Sequence, residues 1–197
     1  QSRRKIETLA RQTMRLTKLV NELLDISRII NGRIVLEYEP GELVSLVRDT
    51  IARFGDELAL GGCTLELYEH GPIQGRFDRL RTDQIVTNLL SNAIKYGPGK
   101  PIEIHITTDA ATAQIAITDH GIGIAPEHQE RIFEIFQRLH GVGQYSGTGI
   151  GLAIVRRIVD RHAGTITLES EPDAGTRFII ELPVKQNIPE TEALVSA

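Results

Sequence analysis

Three short segments combine residue types and spacings that could do chemistry. They are Asn88-Leu89-Leu90-Ser91-Asn92-Ala93, Asp119-His120-Gly121-Ile122-Gly123-Ile124 and Gly147-Thr148-Gly149-Ile150-Gly151-Leu152. Asn88 and Asn92 are four apart, so on a helix they share a face, with Lys95 and Tyr96 on the next turn. An amide oxygen is a hard, neutral ligand suited to Mg²⁺, which keeps waters and bridges to phosphates. Lys95 could neutralise phosphate charge, and Tyr96 could cover a base or sugar. Asp119 ends an alternating apolar run, where a buried carboxylate can accept from the amino group of adenine. Guanine presents a carbonyl at that place, and a hydrogen bond to a charged group contributes about 1.5–3 kcal/mol. Gly147, Gly149 and Gly151 lie just before a predicted helix, whose free N–H groups and dipole attract phosphate. Their spacing is not the dinucleotide fingerprint, and no lysine follows as in a P-loop. Each segment alone also fits something plainer: exposed helix amides, an Asp-x-Gly turn, a flexible glycine turn. Together they describe a pocket for a nucleoside triphosphate and its metal.

The elements that must position these groups follow from periodicity. Ile6, Leu9, Thr13, Leu16, Val20, Leu23, Ser27 and Ile30 are spaced alternately by three and four, the seam of a coiled coil or helix bundle. Met14, Leu19, Leu24 and Ile26 widen the stripe toward a four-helix arrangement, so this helix needs a partner. Asn31-Gly32 supplies its stop. A short strand is expected over Val35 to Glu39, a turn at Pro40-Gly41, and a helix over Glu42 to Leu60 with Leu43, Leu46, Val47, Ile51 and Phe54 inward. Further on, the patterns predict a strand from Thr64 to Tyr68, a turn at Gly71-Pro72, and a helix from Arg79 to Tyr96 stopped by Gly97-Pro98-Gly99. Ile102, Ile104 and Ile106, then Ile115, Ile117 and Asp119, mark two strands. A short helix near Glu127 to Phe133, a helix from Ile150 to Ala163, and strands at Thr165 to Glu169 and Thr176 to Leu182 complete the pattern. The expected class is α/β, with helices on one face of a mixed sheet, preceded by one long bundle helix.

Bulk properties narrow the function classes. The 197 residues are 41% hydrophobic and 24% charged, ordinary for a globular protein with one core and an appendage. Apolar runs are only a few residues long, so no transmembrane segment or signal peptide is expected. The single cysteine, Cys63, reads as a small residue on a strand and argues against structural zinc. Residues 1–33 hold eight Lys or Arg against three acids, a balance of +5 that leaves −9 for the rest of a chain with net charge −4. That basic helix reads as a solvated face, one that could meet an acidic protein partner, rather than a nucleic-acid or membrane surface. The chain starts at Gln1 and reads as a piece of something longer.

The conjunction of segments resembles the N box (Asn88 to Tyr96), first glycine box (Asp119 to Ile124), F box (Arg131 to Arg138) and second glycine box (Gly147 to Leu152) of sensor histidine kinases. Gly175-Thr176-Arg177-Phe178 and Leu182-Pro183 are also similar to that family. The resemblance implies the Bergerat-type two-layer α/β sandwich shared with type II topoisomerases and mismatch-repair ATPases. It implies Asn92 as main Mg²⁺ ligand with Asn88 as helper. Lys95 and Tyr96 would contact ATP, Asp119 would read adenine, and Arg138 would approach the phosphates. Gly121, Gly123 and Ile124 would shape the base pocket, and Gly147, Thr148, Gly149, Gly151 and Leu152 the phosphate end, with Thr176 near the base. Residues 124–146 would form a lid over the nucleotide.

In hydrolysing relatives a Glu stands four residues before the metal Asn; here Asn88, a poor general base, takes that place. The resemblance therefore implies a kinase that catalyses by positioning and charge stabilisation. Residues 1–33 resemble the second helix of a dimerisation and phosphotransfer hairpin, 34–187 the catalytic ATP-binding domain, and 188–197 a polar tail. None of the six histidines has the context of a phosphoacceptor: His120 is expected to line the pocket, and His70, His105, His128, His140 and His162 read as surface or loop residues. The expected partners are a second copy through residues 6–30 and a response regulator receiver domain, with no nucleic acid and no membrane contact by this segment. A cytoplasmic setting, alone or as part of a membrane-anchored sensor, is expected. The competing readings are a non-catalytic ATP-dependent dimerisation or sensing module and a hydrolysing ATPase of the same superfamily.

Overall fold

The computed structural model describes residues 35–109, 111–139 and 147–185, and helical backbone at Thr13, Thr17, Val20 and Ser27. The chain divides into two compact units, Gln1–Val35 and Leu36–Ala197. Most of the expected bundle seam, the tail from 188, and residues 140–146 of the expected lid lie outside the described residues.

Within the second unit a five-stranded mixed sheet has the order β2-β4-β5-β7-β6, built from β2 (Leu65–Glu69), β4 (Ile102–Thr108), β5 (Thr112–Asp119), β6 (Thr165–Glu171) and β7 (Gly175–Pro183). Within this sheet β2 and β4 run parallel; β4–β5 and β6–β7 are antiparallel neighbours in sequence, and β5–β7 is an antiparallel pair distant in sequence. Register aligns Ile104, Ile117 and Phe178 in one row and Ile106, Ile115 and Ile180 in the next, all buried. The alternate residues Glu103, Thr118 and Arg177 stay partly exposed, so the sheet has one apolar and one wet face. Helices α3 (Arg79–Tyr96) and α4 (Gly151–Arg161) pack on each other and on the sheet. Ile85, Val86, Leu89, Leu90 and Ala93 of α3 meet Ala153, Ile154, Val155, Ile158 and Val159 of α4 in the core. Each fully buried aliphatic side chain contributes about 1.5–3 kcal/mol. The expected α/β sandwich is the observed one.

Several local expectations are corrected. The first strand, β1, is Glu39–Glu42, not Val35 to Glu39, and it runs through Pro40-Gly41 instead of turning there. Among the described residues it pairs only with β3 (Gln74–Phe77), a strand the pattern did not announce. Proline is tolerated in such a two-stranded edge ribbon. At Gly75 a Cβ would lie 2.6 Å from the Phe77 ring, which explains a glycine inside so short a strand. The expected helix from Glu42 to Leu60 is two helices, α1 (Leu43–Ala52) and α2 (Gly55–Gly61). Glu42 caps α1 through Val44 N at 2.9 Å and Ser45 N at 2.7 Å. The break comes where Arg53 N and Phe54 N turn to the carbonyls of Thr50 and Ile51, which tightens the last turn and buries Phe54. Leu43 and Val47 are buried as expected, whereas Leu46 and Ile51 are half-buried. The short helix near Glu127 is a pair of 3₁₀ turns, Pro126–His128 and Arg131–Phe133. Cys63 precedes β2 rather than lying in it, and is buried.

Candidate functional site

The site grows from the ends of α3, β5 and β7. Asp78 caps α3 by accepting from Arg81 N at 2.9 Å, and the helix runs unbroken to Gly97. Its apolar stripe turns toward the core, which leaves Asn88, Asn92, Lys95 and Tyr96 half-buried along one edge of that stripe.

Sheet register assembles one end of the site. Asp119, the last residue of β5, sits opposite Thr176 of β7; both are buried, and both lie in the helix-facing row that includes Ile102. Asp119 Oδ1 accepts from Gly121 N at 2.8 Å. Burial raises the Asp119 pKa, opposed by the backbone N–H groups of Gly121 and Thr176 and by nearby His120. The Thr176 hydroxyl is 2.9 Å from Ser170 Oγ on β6, which also accepts from Ile124 N at 2.8 Å. Gln129 Nε2 donates to the Ser170 carbonyl at 2.9 Å and to the Ile124 carbonyl at 3.1 Å. Ser170 and Gln129 were missed in the sequence. The available signal was that Ile166, Leu168 and Ser170 share one phase of β6, so a serine continues an apolar row.

The loop after Asp119 is clamped from both sides. Ile122 N donates to the Tyr96 carbonyl at 3.2 Å, and Asp173 N donates to the Ile122 carbonyl at 2.8 Å. At Gly121 a Cβ would lie 2.8 Å from Asp119 Oδ1 and 2.7 Å from the Tyr96 carbonyl carbon, so the backbone can pass only without a side chain. Gly123 has φ of 65°, and its Cβ would strike the Glu171 carbonyl.

The second glycine segment meets α3 at the other end. Lys95 Nζ lies 3.0 Å from where a Cβ on Gly147 would stand, donates to Tyr96 Oη at 2.6 Å, and sits 4.2 Å above the Tyr96 ring. Asn88 Oδ1 lies 3.0 Å from a Cβ position on Gly151. At Gly149 the corresponding position is 2.7 Å from the Gln137 carbonyl and 3.0 Å from Arg138 Cγ. Thr148, Leu152, Arg138 and Asn92 are half-buried around this end. Helix α4 starts at Gly151 with no side-chain cap on its first turn, leaving its positive dipole end at the site. The sequence-predicted residues thus fall into two groups, one around Asp119 and one around Lys95 and Asn88, joined by the last turn of α3.

Two histidines depart from expectation. His120 does not line the pocket: it is exposed on the wet side, 3.3 Å from Glu103 Oε1, while His105 approaches Glu103 Oε2 at 3.4 Å. These two hydrogen bonds, His120 first, hold the Glu103 carboxyl below its usual pKa. His162 is not a surface residue. It is fully buried at the end of α4, its Nδ1 2.8 Å from the Ile158 carbonyl and its ring edge-on to Tyr38. Burial lowers its pKa.

Residues 77–186, which span this whole constellation, match the family model described as histidine kinase-, DNA gyrase B-, and HSP90-like ATPase. The chain belongs to that family. Several of the curated proteins it is similar to are named histidine kinases. The methanogenesis regulatory histidine kinase FilI of Methanothrix harundinacea is 35% identical over 86% of this chain and 19% of its own length. The sensor histidine kinase TmoS of Ectopseudomonas mendocina is 35% identical over 95% of this chain and 19% of its own. Among solved structures, the mycobacterial sensor histidine kinase MprB superposes with a TM-score of 0.67 at 28% identity, covering 76% of this chain and 99% of that one. The chain spans about a fifth of the length of these two curated relatives. It carries the ATP-binding catalytic portion of a sensor histidine kinase, and family membership brings ATP use with it. Among the described residues no helix is long and apolar enough to cross a membrane.

Proposed function

We propose that this domain holds Mg²⁺-ATP between α3 and the two glycine segments and donates the γ-phosphoryl group to a histidine on a dimerisation helix. The observation that carries this reading is Asn88. It stands where a water-activating Glu would stand, with its amide oxygen turned to the first residue of α4. An amide cannot take a proton from water, so the site favours transfer over hydrolysis.

The residues fit the metal they would hold. Asn88 and Asn92 share one face of α3 and offer neutral oxygen donors beside the glycine segment, a donor set suited to Mg²⁺. When bound, Mg²⁺ supplies charge neutralisation at the phosphate oxygens. Lys95 adds a positive charge facing Gly147, and Arg138 a second beside Gly149. The uncapped N–H groups of α4 orient the phosphate chain. Asp119 accepts from the adenine amino group, and Tyr96 flanks the nucleotide. Gly121, Gly123 and Ile124 shape the base end; Gly147, Thr148, Gly149, Gly151 and Leu152 shape the phosphate end. The segment 124–146 is proposed as a lid whose ordering excludes water. Residues 6–30 are proposed to pair with a second copy, and the phosphohistidine to pass its phosphoryl group to a receiver domain.

The test mixes the chain with a dimerisation-hairpin polypeptide and γ-labelled ATP. Acid-labile, base-stable phosphohistidine on the hairpin, dependent on Mg²⁺, is the expected product. ATP binding with no phosphohistidine would leave a binding and sensing module instead.

A further inference from the structure

The hydroxyl hydrogens at the base end can be assigned one by one. The Gly175 carbonyl, 2.8 Å from Ser170 Oγ, can only accept, so it takes the single hydrogen of Ser170. The Ile124 amide, 2.8 Å away, can only donate to that oxygen. The remaining contact, to Thr176 Oγ1 at 2.9 Å, must then be donated by Thr176. Ser170 Oγ is thereby saturated, with one hydrogen given and two received. Thr176 has spent its only hydrogen and offers acceptor lone pairs alone. Its register partner across the strand pair is Asp119, another acceptor.

We propose that Ser170 is a positioning residue for base selection: it locks the Thr176 hydroxyl as an acceptor beside the Asp119 carboxylate, so the pocket takes a 6-amino purine and disfavours a 6-keto purine. This rests on the ATP-binding reading above and adds to it the residue that sets the polarity of the pocket. The same oxygen holds Ile124 N, the first amide of the proposed lid, so the base end and the lid share one anchor. A free threonine hydroxyl could rotate and donate to a keto oxygen; this one cannot without breaking its bond to Ser170.

The experiment measures the affinity ratio of ATP to inosine triphosphate, which replaces the 6-amino group by a carbonyl and places a hydrogen on N1, by competition calorimetry on the whole chain. Wild type is expected to prefer ATP. Ser170→Ala should lower the ratio about 5-fold, the scale of one neutral hydrogen bond, and Ser170→Thr, which keeps a hydroxyl, should restore it. A merely structural role would weaken both nucleotides in proportion and leave the ratio unchanged, which would overturn the assignment. Thr176→Val provides an independent check if Ser170→Ala folds poorly. It should lower the ratio by itself, and adding Ser170→Ala to it should change the ratio no further. A full additional drop in that double variant would also overturn the proposal. A wild type that binds neither nucleotide would overturn the ATP reading itself. A wild type that prefers ATP, with Ser170→Ala keeping the preference, would remove only the role of Ser170.

Discussion

The two ends of the site are built on different principles. Around Asp119 the groups are buried, and their hydrogen bonds close on one another: Gly121 N to Asp119, Thr176 to Ser170, Ile124 N to Ser170. Around Lys95 and Asn88 the groups are half-buried, borne by a helix edge and a glycine segment, and Lys95 donates to its sequence neighbour Tyr96. The first end is a product of strand register and is organised with the fold. The second is an electrostatic arrangement in partial contact with water, where charges are screened and side chains retain freedom. The proposed recognition of a base, which needs fixed donor and acceptor directions, falls on the rigid end. The proposed handling of phosphates, which needs charge and close backbone approach, falls on the adaptable one.

The sharpest way to break this contrast is at the phosphate end. Asn92→Ala should lower Mg²⁺-dependent ATP affinity by more than about 100-fold, beyond the loss typical for an outer-shell metal partner, with unfolding temperature unchanged because the side chain is half-buried on a helix. An unaltered Mg²⁺-ATP affinity, read by calorimetry, would sink the metal assignment.

Asp119→Asn should show the converse at the base end: ATP affinity falling about 10- to 100-fold, the scale of a hydrogen bond to a charged group, while stability is held or improved. The Asp119 pKa is raised by burial, so its folded form favours the proton. Wild-type stability relative to Asp119→Asn is therefore greatest below about pH 3.8 and is lost as pH rises through the folded pKa. Denaturant melts of both proteins from acid to neutral pH check this; a wild type that gains on the variant as pH rises would contradict it.

A smaller effect separates fold from site. His162 is held neutral by burial, so its contribution is present above about pH 6.5 and is lost as pH falls through its lowered folded pKa. His162→Gln should flatten the acid side of the stability curve, by no more than about 1.4 kcal/mol per pH unit, and leave ATP affinity at pH 8 unaltered. The smallest effect is expected on the wet face, where Glu103→Gln should change stability within about 0.5 kcal/mol and leave nucleotide affinity as it was. A marked loss of affinity there would mean that the two faces of the sheet are coupled.

Much of this was legible beforehand, and the exceptions have physical causes. Helix α3 was readable to the residue because Asp78 caps it, its apolar stripe is continuous, and Gly97 ends it. Strands β4 and β5 were readable from isoleucine alternation. The break at Arg53 was not, because a helical stripe continues through it and only the burial of Phe54 reveals the turn. Strand β3 was hidden because it is four residues long, includes a glycine, and is made by pairing with β1. His162 read as a surface or loop residue because nothing near it in sequence announces a cover, yet Tyr38, distant in sequence, packs edge-on against its ring. His120 was misplaced for a simpler reason: period-two alternation puts the residue after Asp119 on the opposite face of the sheet.

The sequence by itself determined the chemical inventory: amides at i and i+4 on one helix, a carboxylate closing a strand, glycines where no side chain could pass, and asparagine in place of a general base. Those depend on local spacing, which the chain carries within a few residues. Only the tertiary structure decided that Asp119 faces Thr176 and that Ser170 spends the hydrogen of that threonine. Alternation assigns a residue to a face of a sheet but says nothing about which strand lies alongside, so hydrogen-bond direction at the base end waits on the pairing of β5, β7 and β6.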